Sequence, residues 1–151
     1  MFLDNATFST VIDSAPLVSI DIIVRNSQGQ ILLGERKNRP AQGYWFVPGG
    51  RILKNESLAS AFSRLTLAEL GAEFSITTAT LQGPYDHFYT DSVFGAAPTT
   101  HYVALAYCLS VSELTSLPEQ QHSAYLWFEI ADLLSHPLVH QHTKAYFLSK
   151  E

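Results

Sequence analysis

Glu69 is an acidic residue in an apolar row. From Pro48 to Ala72 the chain passes a Gly49–Gly50 pair and a polar loop (Lys54, Asn55, Glu56), then a helical pattern that stops at Gly71. At 100° per residue, Leu58, Ala61, Phe62, Leu65 and Ala68 share one face, and Glu69 lies within it. A carboxylate on the core side of a helix is costly unless it pairs with a cation or binds a metal. A salt bridge to an arginine and a metal ligand are therefore the two roles open to it. The glycine pair reads as a tight turn, since glycine tolerates positive φ, and Gly71 as the helix stop.

Other residues offer matching chemistry. Arg36 follows an apolar strand and precedes GYWFVPGG, where its fork can meet a diphosphate with two donors. The rest of the charge run from Glu35 to Arg39 reads as a solvated loop. Arg51 comes directly after the glycines, close to any ligand they admit. Asp21 interrupts LVSIDIIV, so it stands at a strand end or faces a polar cavity. Six histidines (His87, His101, His122, His136, His140, His142) titrate in the range useful for taking a proton from water, and spacing singles out none. Phe2, Leu3 and Phe8 either cover an edge of the core or a subunit interface, or give a purine a surface to stack on. Tyr102 reads as a strand tyrosine, and Cys108, in an apolar strand, as a core thiol.

These residues need a folded scaffold, and the composition provides for one. At 151 residues with 46% hydrophobic and 15% charged side chains, the chain reads as one α/β domain with a full core. The net charge of −5 argues against broad binding to nucleic acid or an anionic membrane, and leaves room for a local basic pocket. No apolar run approaches a membrane span. The N-terminus lacks the pattern of a signal peptide, and the single cysteine rules out an internal disulfide, so a cytoplasmic location is expected.

In order, Met1–Ala15 reads as a loose or short helical segment, Leu17–Val24 as a strand, NSQG as a turn and Ile31–Leu33 as the returning strand. Tyr44–Val47 reads as a short buried strand and Thr77–Gly83 as another. Pro84–Thr100 is long enough for an irregular loop with a task, closing over a site or packing on a partner subunit. His101–Val111 is the longest strand pattern and reads as central. Leu114–Ser123 is a polar loop before the strand Tyr125–Phe128. Helices are expected over Glu129–Leu134 and Val139–Ser149, the second packing through Ala145, Phe147 and Leu148. Strands on both sides of a helix, with helices at the end, predict a mixed sheet flanked by helices.

The spacing Gly50, five residues, Glu56, seven residues, Arg64, then Glu69 and Gly71 resembles the Nudix box, Gx5Ex7REUxEExGU with U aliphatic. Leu65 and Ala68 stand where the box has two further glutamates, and Thr66 and Ala72 fill its aliphatic slots. With RPAQGYWFVPGGR (Arg39–Arg51) in front, the chain resembles the GDP-mannose mannosyl hydrolase branch of the Nudix superfamily, in which the same two acidic positions are missing. The resemblance runs over nearly the whole chain. It implies the Nudix α/β/α sandwich with a mixed sheet over residues 1–151.

The resemblance also implies Mg²⁺, with Mn²⁺ as a substitute, held by the Gly49 carbonyl, the Glu69 carboxylate and the Gln121 side chain. It implies His122 as the base, His87 near the leaving group, Tyr102 as a donor to the diphosphate, and Arg36, Arg51 and Arg64 as its neutralising cations. Arg64 has a competing role, bracing the loop through Glu56. Phe2, Leu3 and Phe8 would hold guanine and Asp21 a sugar hydroxyl. The implied substrate is GDP-mannose, with GDP-glucose second, and the implied assembly a homodimer.

A nucleotide sugar breaks at phosphorus, giving a nucleoside monophosphate and a sugar phosphate, or at the anomeric carbon, giving free sugar and the intact diphosphate. Phosphorus attack makes the heavier demand on clustered metal ions. The loss of two helix carboxylates favours the anomeric carbon. An ordinary pyrophosphohydrolase and a domain that binds nucleotide sugars without turnover are the alternatives.

Overall fold

The computed structural model describes residues 2–114, 117 and 122–148, with His122 and Ser123 described by backbone alone. The elements are α1 (Asn5–Ser14), β1 (Leu17–Arg25), β2 (Ile31–Arg36), β3 (Trp45–Phe46), β4 (Gly49–Arg51), α2 (Leu58–Leu70), β5 (Thr80–Tyr89), β6 (Thr100–Ser110), β7 (His122–Phe128), α3 (Ile130–Ser135) and α4 (Gln141–Lys144). Short 3₁₀ turns at Ile76–Thr78 and Ala145–Phe147 complete them. The sheet runs β3-β2-β1-β6-β5, with β4 on β1 and β7 on β2. β1 and β6 are parallel and the other pairs antiparallel, so the sheet is mixed, as the sequence predicts.

Alternation along β1 creates two cores. Ile20, Ile22 and Val24 point to one face and pack with Ala61, Phe62, Leu65 and Leu70 of α2. Ile23 points to the other, with Leu33, Leu133 of α3, Val139 and Tyr146. Helices thus cover both faces, giving the expected α/β/α sandwich. β6 is central, held between β1 and β5.

α2 starts where the Ser57 hydroxyl accepts from Ser60 N at 3.1 Å, and it ends at Gly71 with φ 75°, a left-handed cap that glycine adopts without strain. Its buried face is shifted around the helix from the apolar stripe in the sequence. Leu58 and Ala68 are exposed, and Thr66 and Leu70 are buried with Ala61, Phe62, Leu65 and Glu69. Burying Phe62 completely contributes roughly 2–3 kcal/mol.

Three expectations are corrected. Pro84–Thr100 is not one loop, because β5 extends to Tyr89 and only 90–99 remain irregular. Proline reads as a strand breaker, yet Pro84 lies opposite Leu105 on an edge strand, where a missing N–H is tolerated. The strand begins at Thr80 rather than Thr77, after the 3₁₀ turn. The expected last helix is instead α4 followed by a 3₁₀ turn; Thr143 and Tyr146 are buried there and Phe147 packs against the core as expected, while Leu148 is exposed.

Candidate active site

The glycine pair is not a turn. Gly49 and Gly50 belong to β4, in register with Asp21 and Ile20 of β1, and neither has positive φ. Glycine is required there by close approach. A β-carbon on Gly49 would lie 2.4 Å from the Ile20 carbonyl oxygen and 2.6 Å from Asp21 Oδ1. One on Gly50 would lie 2.6 Å from Leu65 Cδ2. β4 is thereby pressed between β1 and α2, and Glu69, only 4% exposed, accepts the Gly49 N–H at 3.3 Å.

A cavity of about 80 Å³ opens at this junction. β1 contributes Asp21, β2 its terminal Arg36, β4 Gly49 to Arg51, α2 Glu69, β5 His87 and Tyr89, and β6 Tyr102. His87 and Tyr102 are cross-strand partners, so the β5–β6 register places them side by side. Beyond Tyr89 lies an open groove of about 1070 Å³ with Arg39, Tyr44 and Lys144 in its wall. The smaller cavity is the candidate site, because the titratable groups converge there.

Burial raises the Asp21 carboxyl to about 6, and the Glu69 charge adds to that; the hydrogen bond from Tyr146 and the Arg36 charge oppose it. Tyr146 Oη donates to Asp21 Oδ2 at 2.5 Å and lies 3.2 Å from His87 Nε2. Burial, with His142 and His140 adding to it, lowers His87 to about 3, so its imidazole is neutral at physiological pH. The His87 ring stacks on His142 at 4.3 Å with planes 4° apart. Burial pushes the Tyr102 hydroxyl above its ordinary value, against the pull of Arg36 and Arg51, so it is a donor rather than a phenolate.

Arg36 lies 5.6 Å over the Phe46 ring, and Arg51 lies 4.6 Å over Phe8, whose edge meets Phe94 at 5.9 Å. Of the N-terminal trio, Phe8 therefore adjoins a cavity residue, Leu3 is half-buried and Phe2 is 89% exposed. Arg64 does not line the cavity. Its Nε donates to Glu56 Oε2 at 2.7 Å, and its Nη2 donates to Glu56 Oε1 and to the Arg51 carbonyl, both at 2.9 Å. Glu56 also accepts the Leu53 N–H, and the Arg64 hydrogen bond holds its carboxyl down at about 2. Arg64 thus occupies the bracing role, one carbonyl away from Arg51.

Thr66 also has a local reason. Completely buried, its hydroxyl accepts the Phe74 N–H at 2.9 Å and ties the segment after α2 back onto the helix. Gln121 lies outside the described residues, as does the His122 side chain; the His122 backbone opens β7 opposite Arg36. Cys108 is half-buried, and burial raises its thiol, which makes it a poor nucleophile.

No motif in the sequence singles out Tyr89 or Tyr146, or His142 from the other five histidines. They reach the site through the sheet register and the irregular C-terminal turn, neither of which leaves a spacing motif. The closeness of His140 and His142 to Tyr146 in the chain was the one available hint.

The description "NUDIX domain" fits residues 15–149. Agl8 of Haloferax volcanii, a low-salt glycan biosynthesis protein, is 36% identical over 138 residues, covering 91% of this chain and 86% of its own. The MutT NUDIX hydrolase from Burkholderia pseudomallei shares 30% identity at a TM-score of 0.71, over 88% of this chain and 96% of its own. MutT protein from Methanosarcina mazei Go1, at 21% identity and a TM-score of 0.72 over 89% and 92%, shares the fold. The chain belongs to the NUDIX hydrolase family.

Nudix hydrolases generally work with a divalent cation such as Mg²⁺. The donors here are hard oxygens: the buried Glu69 carboxylate beside the Gly49 backbone, with Asp21 across β4. Among the described residues no three of His, Cys, Asp and Glu gather as a metal cluster. Hard oxygen donors of this kind suit a hard divalent cation. No helix is long and apolar enough to cross a membrane.

Proposed function

We propose that this NUDIX protein hydrolyses a nucleoside-diphosphate sugar at the anomeric carbon, with GDP-mannose as substrate and GDP-glucose as a second one. Water adds to C1 with inversion, the C1–O bond to the diphosphate breaks, and GDP and β-mannose leave. The observation that carries this reading is the state of α2. Leu65 is packed against Gly50 and Ala68 faces solvent, so Glu69 is the one carboxylate the helix turns toward the cavity. Phosphorus attack by several clustered cations finds little support in that donor set. The 36% identity to a glycan biosynthesis protein supports a sugar-bearing substrate.

The side chains have distinct roles in this reading. Arg36 and Arg51 neutralise the departing diphosphate, and Tyr102 donates a hydrogen bond to it. Four of the nine Lys and Arg residues (Arg36, Arg51, Arg39, Lys144) line the cavity and its neighbouring groove, alongside Asp21, Glu69 and Asp91, in a chain of net charge −5. Asp21 takes a sugar hydroxyl, and His87 contributes hydrogen bonding from a neutral ring. Phe8 with Leu3 and Phe2 forms the side where the base would stack. Arg64 acts through the Arg51 carbonyl it holds.

His122 is assigned as the base that takes the water proton. The pairing of its backbone with Arg36 supports that assignment by bringing the start of β7 to the cavity rim. Glu69, the Gly49 carbonyl and Gln121 would hold Mg²⁺. When bound, the cation withdraws charge from the leaving diphosphate. A homodimer is part of the same reading, supported by the exposed Phe2, and sedimentation analysis tests it.

The deciding experiment incubates the protein with GDP-mannose and Mg²⁺ in ¹⁸O-water and follows the products by NMR and mass spectrometry. The label is expected in mannose, with the β anomer appearing first. Label in GMP or mannose 1-phosphate would establish pyrophosphohydrolase chemistry instead. Binding of GDP-mannose without turnover would establish a non-catalytic domain.

A further inference from the structure

Asp21, Tyr146 and His87 come from β1, from the 3₁₀ turn after α4 and from β5, and they meet at one hydroxyl. A phenol has one proton to give and lone pairs to accept with. An ionised carboxylate only accepts, so the 2.5 Å contact to Asp21 Oδ2 uses the Tyr146 proton. The 3.2 Å contact to His87 Nε2 must then run the other way, with Nε2–H as donor and Tyr146 Oη as acceptor. A neutral imidazole carries one hydrogen, which leaves Nδ1 of His87 with its lone pair.

The surroundings hold all three side chains in place. His142 lies parallel to His87, and its Nε2 is 3.1 Å from the Phe88 carbonyl, which can only accept. The Tyr146 ring stands edge-on to Tyr85 at 4.7 Å, and its carbonyl accepts from Gln82 Nε2 at 2.9 Å. Tyr146 and His87 are each 5% exposed, so little water competes for these bonds.

We propose that Tyr146 is a positioning residue of the site, whose hydroxyl orients the Asp21 carboxylate and locks His87 in the Nε2–H tautomer. The polar contact His87 can still make is through Nδ1, so it accepts a hydrogen from a ligand hydroxyl rather than donating one. Tyr146 itself does not line the cavity. That Asp21 and His87 meet the substrate rests on the function proposed above; the tautomer does not.

The test is a long-range ¹H–¹⁵N spectrum of histidine-labelled protein at mildly alkaline pH, without substrate. The His87 signals are assigned by their loss in His87→Gln. Wild-type His87 is expected as the pure Nε2–H tautomer, and Tyr146→Phe is expected to give a mixture. A wild-type His87 in the Nδ1–H form overturns the proposal, and so does a His87 pattern unchanged in a folded Tyr146→Phe. Should Tyr146→Phe fail to fold, the wild-type spectrum alone decides. With GDP-mannose and Mg²⁺, Tyr146→Phe is expected to lower kcat about tenfold with KM within about twofold, the pattern of a lost supporting contact. A wild-type protein without turnover but with the stated tautomer would sink the assigned function and leave the positioning intact.

Discussion

Leu65 and Gly50 are packed against each other so closely that a β-carbon on the glycine would come within 2.6 Å of Leu65 Cδ2. The position where a Nudix box carries its first helix glutamate is therefore filled with hydrocarbon, in the core that contains Ile20, Ile22 and Phe62. The other departure, Ala68, faces solvent. The two missing carboxylates are physically different losses.

That difference predicts different outcomes for restoring them. Leu65→Glu buries an unpaired charge and is expected to destabilise the protein by roughly 3 kcal/mol or more, read by urea denaturation. Ala68→Glu is expected to stay within about 0.5 kcal/mol of the parent. Equal effects at the two positions would contradict the packing described.

Removing the charge of Glu69 separates metal binding from stability. Glu69→Gln is expected to weaken Mn²⁺ binding, read by electron paramagnetic resonance titration. Thermal denaturation should show a protein at least as stable, because a buried carboxylate is exchanged for a neutral amide of the same shape. Unchanged metal affinity would remove Glu69 from the proposed donor set.

Glu56 should contribute acid sensitivity of a defined sign. Its carboxyl lies at about 2 in the folded protein against 4.5 for a free glutamate. The stabilisation is therefore complete above about pH 4.5 and is lost as pH falls toward 2. Arg64 is 37% exposed, so screening reduces the effect to roughly 1–2 kcal/mol. Glu56→Gln should flatten this part of the stability profile.

His87 acts in a higher pH window with the same direction. A histidine lowered to about 3 from 6.5 stabilises fully above 6.5 and loses that contribution as pH falls, because the unfolded chain takes the proton first. Each pH unit between those values should remove up to about 1.4 kcal/mol. His140, lowered to about 4 by burial, His142 and Arg36, steepens the same limb. His87→Gln should show a shallower slope in equilibrium denaturation from neutral to mildly acidic pH.

His122→Gln is expected to cut turnover of GDP-mannose by about 100-fold or more, with GDP affinity and melting temperature near the parent values. Activity that survives would point to another base.

Much of the scaffold could be read in the chain because its signals are local. α2 announces its end at Gly71, and the β-branched run of β1 and the long apolar β6 stand out. The Glu56–Arg64 pairing was available as one of two roles. What could not be read depends on distant neighbours. Pro84 looks like a break until the edge position of β5 is known. Gly49 and Gly50 look like a turn until β1 and α2 are seen pressing on them. Tyr146 sits in a segment that reads as a helix packed through other residues, and its partners are 59 and 125 residues away.

The contact between Tyr146 and Asp21 also sets a schedule. The hydroxyl that completes the surroundings of the acidic residue in β1 follows it by 125 residues in the chain. Strand pairing does not need that hydroxyl, but the polar side of the candidate site is complete only once the closing turn docks.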